Sequence, residues 1–285
     1  VTQPSEKIDA LPGERRSISF FAAAGWTVAA QLAFAFALQG TEAVRPGAMS
    51  DLVSATACCA LAYSLVVFVM VRVYEPESSL RRVLALRAVS PFSLVFAAVV
   101  GAGIAPTLRV IGSLIERRFP TPIEEVERQS EILGKLLATP TLGSKIALFV
   151  AVVLVIPAAE DLFFRGMLFG GLRKGRPLAV ATLTTAAYFA LSHEEPRDIP
   201  ALFVVGLVLA WLRGQTGSII PSFIANAAYC AMPVLPQLLN RADPEELFPR
   251  AVPMGAAALA LLAAGGIQLI SQRDARSIEA RREDS

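Results

Sequence analysis

Hydrophobic residues in this chain come in long blocks, separated by short charged loops. That layout constrains the fold more than any single motif. In hydrocarbon every backbone N–H and C=O needs an internal partner, so only helices and closed barrels cross a membrane. A spanning helix takes ~20 apolar residues. Blocks near that size fall at about 17–40, 52–73, 88–114, 144–172, 177–194, 199–213, 217–239 and 251–271. The sequence therefore predicts an all-α fold, a polytopic transmembrane bundle of about eight helices. The first block exceeds the ~7–15 apolar residues of a signal-peptide core and is read as a membrane helix. Overall apolar content is 54%, above the ~45–50% of soluble domains. The 177–194 and 199–213 blocks are short, which suits tilted or bundle-buried helices. Gly101, Gly103 and Pro106 interrupt 88–114, and a kink is expected there.

One membrane-embedded domain is expected over 17–272, between a polar N-terminal tail (1–16) and a charged C-terminal tail (273–285). A surface insert over 117–143 separates the third and fourth blocks. Thr121, Pro122 and Glu124 make a helix start of cap, first-turn proline and capping-box acid. Ile123, Val126, Ile132, Leu133, Leu136 and Leu137 then follow at helical spacing, with charges between them. This reads as an amphipathic helix on the membrane face, either a solvated cover or a binding element. A net charge of +2 argues against a nucleic-acid partner; the partner that composition does imply is the lipid bilayer. Cys58 and Cys59 read as small packing residues.

Cations set the orientation. Lys7, Arg15 and Arg16 precede the first block; Arg72, Arg81, Arg82 and Arg87 lie between the second and third. Arg173, Lys174 and Arg176 follow the fourth, and Arg273, Arg276, Arg281 and Arg282 lie in the tail. With eight helices all fall on one side, taken as cytoplasmic, which puts both termini in the cytoplasm and the chain in the cell membrane. The insert's Arg117, Arg118, Arg128 and Lys135 fall on the other side, as long loops are free to do.

The stretch Ala159–Gly166 puts Glu160, Asp161 and Arg165 inside an apolar run. Each charge in the middle of a lipid-facing helix costs at least ~2.5–3.5 kcal/mol, so the three need partners. Asp161 and Arg165 are four apart and can pair. Glu160 points about 100° away and is the acid left for chemistry. The fourth and fifth blocks form a hairpin turning at Gly175-Arg176-Pro177. Glu160 and His193 are nearly equidistant from Arg176 and fall at one depth. His193 is the single histidine, and its place where the apolar run meets water suits an interfacial residue or a catalyst. Ser222, Asn226 and Cys230 make a polar stripe, either a packing seam or a face that projects Asn226 toward Glu160 and His193.

Glu160-Asp161-Leu162-Phe163-Phe164-Arg165 and Phe189-Ala190-Leu191-Ser192-His193 resemble the first two motifs of the CAAX-prenyl-protease and bacteriocin-processing (CPBP) family of intramembrane proteases. Those motifs read Glu-Glu-x-x-x-Arg and Phe-x-x-x-His, so Asp161 stands where the family has Glu. Arg213 with Gly217-Ser218 is similar to the family's downstream turn. The third motif, His-x-x-x-Asn, falls on Asn226 and Cys230, and both of its residues are replaced. The resemblance covers about 145–235.

The resemblance implies an endopeptidase acting on prenylated or membrane-associated substrates. Glu160 would activate a water. His193 would donate to the water or the oxyanion, with Asn226 as a substitute donor. Asp161 and Arg165 would form a structural pair or anchor substrate, with Phe189 and Cys230 as support. No cofactor is expected. Glu160, His193 and Cys230 could in principle supply three zinc ligands, but the family's second histidine is absent, and Cys230 has apolar neighbours that disfavour a thiolate. The alternative is a catalytically inactive relative serving as a membrane binding or scaffold protein. A transporter is disfavoured because no internal repeat is visible.

Overall fold

The computed structural model describes residues 17–121, 123, 141–193, 195–238 and 252–283. The expected tail over 1–16, most of the amphipathic insert with its start at Pro122 and Glu124, and Glu194 lie outside the described residues. Among the described residues the chain is helical throughout, with no strand. We number α1 Phe20–Val44, α2 Leu52–Tyr74, α3 Leu80–Val83, α4 Pro91–Arg118, α5 Leu142–Arg173, α6 Leu178–Leu191, α7 Ile199–Thr216, α8 Ile219–Leu238 and α9 Val252–Glu283.

Local chemistry sets the boundaries. Ser19 caps α1 by accepting from the Ala22 N–H at 3.1 Å. Asp51 caps α2 through Ser54 at 3.2 Å, and Thr141 caps α5 through Ser144 at 3.1 Å. Each satisfies a donor that the first helical turn leaves unpaired. Pro91 opens α4, where a missing N–H costs nothing. Gly217, with φ +65°, ends α7 in the left-handed conformation, its N–H bonded to the Arg213 carbonyl at 3.1 Å.

Among the described residues six helices are long and apolar enough to cross a membrane: α1, α2, α4, α5, α7 and the 255–272 part of α9. The protein is a multi-pass integral membrane bundle. Two further apolar helices, α6 and the 219–235 part of α8, are shorter. At 14 residues, α6 is only ~21 Å long against a hydrocarbon layer of ~30 Å, so it does not span alone. It ends early because the chain bends at Ser192 and His193. The last helix does the opposite and continues through the charged stretch to Glu283.

α5 occupies the middle, touching α2, α6, α7 and α8. α4 packs against α8 and α9, and α1 rests on α2. Large apolar side chains such as Phe21, Phe36, Leu61 and Leu262 face outward, while Asp161, Arg165, Ser222 and Asn226 are buried. That inverted pattern suits a bilayer. Lipid removes most of the hydrophobic drive for helices to meet, so close approach and interhelical hydrogen bonds matter more. The glycines of α4 serve the first. A Cβ on Gly101 would stand 2.0 Å from the Ala225 carbonyl oxygen, so only glycine lets α4 press against α8 there. The helix runs continuously through Pro106. The second device is seen where Trp26 Nε1 donates to the Tyr74 hydroxyl at 3.2 Å and Tyr188 donates to the Phe20 carbonyl at 3.0 Å.

Candidate active site

Glu160 owes its setting to irregularities in α5. Pro157 offers no N–H to the carbonyl of Val153. Just before it, Val150–Val155 is π-helical, with the Ile156 N–H bonded to Ala151. A second π-helical segment spans Leu162–Leu168. Glu160 lies in the α-helical turn between them. Such widened turns change which side chains share a face, and they recur at functional sites.

The three residues expected to carry chemistry come together. His193 Nε2 lies 3.7 Å from Glu160 Oε1. Asn226 Nδ2 donates to Glu160 Oε2 at 3.4 Å. Cys230 Sγ donates weakly to Asn226 Oδ1 at 3.9 Å. Glu160 is 14% exposed and His193 30%, whereas Asn226 is buried. His193 Nδ1 sits 2.8 Å from the Phe189 carbonyl oxygen. A carbonyl only accepts, so Nδ1 carries a proton, and it is Nε2 that faces Glu160. The motif's Phe189-to-His193 spacing supplies that backbone acceptor one turn back, and the Phe189 ring stacks edge-on against the imidazole at 4.9 Å.

The neighbouring acid has a different environment. Asp161 Oδ1 meets Arg165 Nε at 3.3 Å, with both side chains essentially sealed at 1% and 0% exposure. The guanidinium lies 4.2 Å from the centroid of Phe189 and 5.8 Å from that of Phe164. No substrate carboxylate reaches Arg165 in this arrangement, so of its two expected roles the geometry suits the structural pair. Phe163, Phe164 and Phe189 continue in edge-to-face contacts toward Tyr63 on α2.

Sequence reasoning passed over the other wall. Cys59 and Tyr63, four apart on α2, lie within electrostatic reach of Glu160. Gln31 on α1 donates to the Tyr63 hydroxyl at 3.3 Å and to the Ser192 carbonyl, one residue before His193. The available signal was an amide side chain in the middle of a lipid-spanning block, which needs a partner as the buried charges do.

A structural or catalytic zinc takes three or four His, Cys, Asp or Glu ligands. Among the described residues no three such side chains cluster that way. The donor set does not fit a metal, and no step below is routed through one.

Fold and site together define an integral membrane protein with a polar centre held between its spans. Residues 142–232, about a third of the chain, match the family model for Rce1-like type II CAAX prenyl endopeptidases. That segment is similar to the CAAX prenyl endopeptidases, as its motifs suggested. The match spans α5 to α8 and takes in Glu160, His193 and Asn226. No curated protein and no solved structure matches the chain.

Proposed function

We propose that this protein is an intramembrane endopeptidase in which Glu160 activates water against a peptide bond of a prenylated or membrane-associated substrate. The observation that carries the reading is the convergence of Glu160 Oε1 with His193 Nε2 at 3.7 Å and of Glu160 Oε2 with Asn226 Nδ2 at 3.4 Å. In the neutral tautomer both Glu160 Oε1 and His193 Nε2 are acceptors. One water between them can donate a proton to each, leaving its oxygen lone pair for attack.

Attack forms a C–O bond to the scissile carbonyl as Glu160 takes the water proton. The carbonyl π pair moves to oxygen, and the Asn226 amide N–H is the donor available to the resulting oxyanion. Collapse breaks the C–N bond, and the proton on Glu160 passes to the leaving amine. Asp161 and Arg165 stay outside these transfers and hold α5 in shape. The helix-connecting segments rich in arginine, 75–90 and 174–177, face the cytoplasm of the cell membrane in this reading.

The test is incubation of the purified chain in nanodiscs with a farnesylated peptide ending in a CAAX-type tail, with products read by mass spectrometry. Release of a C-terminal fragment is the expected result. No release by the native chain, together with release by the N226H/C230N double variant that restores the family's third motif, would instead identify a non-catalytic relative.

A further inference from the structure

At the far end of α5 from its N-terminus, three helix connections meet: 75–90 after α2, 174–177 after α5, and Gly217-Ser218 after α7. They enclose a cavity of about 250 Å³ at that end of the bundle. Its charged lining is Arg82, Arg87, Lys174 and Arg213 against the single carboxylate of Glu75. Arg81 and Arg173 line two hollows that share residues with it.

Glu75 is already engaged. It pairs with Lys174, and it accepts from the Ser78 hydroxyl at 2.7 Å. The side chains of Arg82 and Arg87 have no partner among the described residues. Half-buried Arg213 spends Nε on the Arg165 carbonyl at 3.2 Å and rests on the Phe169 ring at 5.5 Å. Neither contact is anionic.

Positive residues at this face serve topology, but topology does not need them fixed around a hollow, and here they are fixed. Ala85 holds φ +51°, a left-handed conformation rare outside glycine. Its carbonyl accepts the Ile219 N–H at 3.2 Å, and the Arg87 carbonyl accepts the Ser218 hydroxyl at 2.7 Å. Those bonds clamp the turn that carries Arg82 and Arg87 onto the start of α8. Opposite them Gly166 leaves room, since a Cβ there would meet Leu84 Cδ2 at 2.9 Å.

We propose that this basin binds a phosphate group, and that its source is the headgroup of an anionic phospholipid. Planar guanidinium forks match phosphate oxygens in geometry and charge. The cavity lies just past the ends of the apolar helices α2, α5 and α7, the level expected for bilayer headgroups, and anionic lipids are drawn to clustered arginines at that level. On α5 its lining runs from Gly166 to Lys174, about six to fourteen helical residues past Glu160, or ~9–21 Å.

The experiment uses the purified full chain in mixed micelles holding equal parts of phosphatidylglycerol and phosphatidylcholine, with retained lipid counted by native mass spectrometry. The native chain is expected to retain phosphatidylglycerol preferentially. The R82Q/R87Q variant loses roughly five-fold of that preference per guanidinium removed, while Arg117→Gln at the opposite end of α4 loses none. Arg213→Lys keeps the charge without the fork and is expected to show a partial loss. A second arm adds inorganic phosphate to protein in phosphatidylcholine alone and follows thermal unfolding. Phosphatidylglycerol preference with no phosphate shift assigns the lipid headgroup. A phosphate shift in the native chain, absent from R82Q/R87Q and without lipid preference, moves the site to a free phosphate ion and overturns the lipid source. Equal retention of both lipids with no phosphate shift, or undiminished preference in R82Q/R87Q, overturns the site itself.

Discussion

Glu160 and Asp161 are adjacent carboxylates on one helix, and their surroundings could hardly differ more. Asp161 is sealed against Arg165, whose guanidinium lies against two aromatic rings. Glu160 keeps partial exposure and faces an imidazole and an amide. Burial with a fixed counter-charge makes an acid a structural part, because removing one partner strands the other in a medium that cannot solvate it. Partial exposure beside groups that exchange protons suits an acid to chemistry. One residue of helical rotation separates the two environments.

The contrast can be broken by exchanging carboxylate for amide at each position in turn. Glu160→Gln is expected to lower cleavage by ~10²–10⁴, the usual contribution of a positioned base, with the unfolding temperature unchanged. Arg165→Met should do the reverse in kind. It leaves Asp161 buried without its cation, at a cost of about 3–5 kcal/mol, visible as a lower midpoint in thermal unfolding and a poorer yield of folded protein. Asn226→Ala removes the available oxyanion donor and should lower the turnover rate by ~10²–10³. An unchanged rate in that variant would take the amide out of the mechanism.

Smaller effects sharpen the picture around the site. Gln31→Leu deletes the bonds to Tyr63 and to the Ser192 carbonyl. Interhelical hydrogen bonds in membranes contribute about 0.6 kcal/mol each, so stability should fall little, whereas turnover should fall further if Gln31 holds the His193 turn in place. Asp51→Ala, far from the site, should cost ~1 kcal/mol through loss of the α2 cap. The Ser54 hydroxyl, followed by the Arg45 guanidinium, holds the Asp51 carboxyl below its usual range. Its contribution is therefore complete above the unfolded value of ~3.9 and is lost as pH falls through the lower folded one. A scan of unfolding temperature against pH checks the sign, and native and D51A chains should converge at the acid end.

Much of this was legible in the sequence because lipid is a strict solvent. Uninterrupted apolar blocks have few alternatives, so the helices fell close to their observed bounds, apart from α9, which runs on through the expected tail to Glu283. The hairpin turn at Gly175-Arg176-Pro177 likewise fixed Glu160 and His193 at one depth, and the structure has them facing each other. What stayed hidden depended on contacts between distant segments. The role of Gln31 rests on a bond to a carbonyl 161 positions away, and no periodicity reports that. The glycines of α4 show the same limit. Gly101 and Gly103 read in one dimension as interruptions that suit a kink, and in three dimensions they are also where α8 and α9 come closest. The π-helical turns of α5 were equally invisible, since Pro157 announces a disturbance without saying that the helix widens and continues.

The most direct test of the division between the two acids is to measure cleavage and thermal unfolding on the same preparations of the native, Glu160→Gln and Asp161→Asn chains. The account predicts that Glu160→Gln lowers cleavage by ~10²–10⁴ while melting like the native chain, and that Asp161→Asn melts lower. A Glu160→Gln chain that cleaves at the native rate would contradict it.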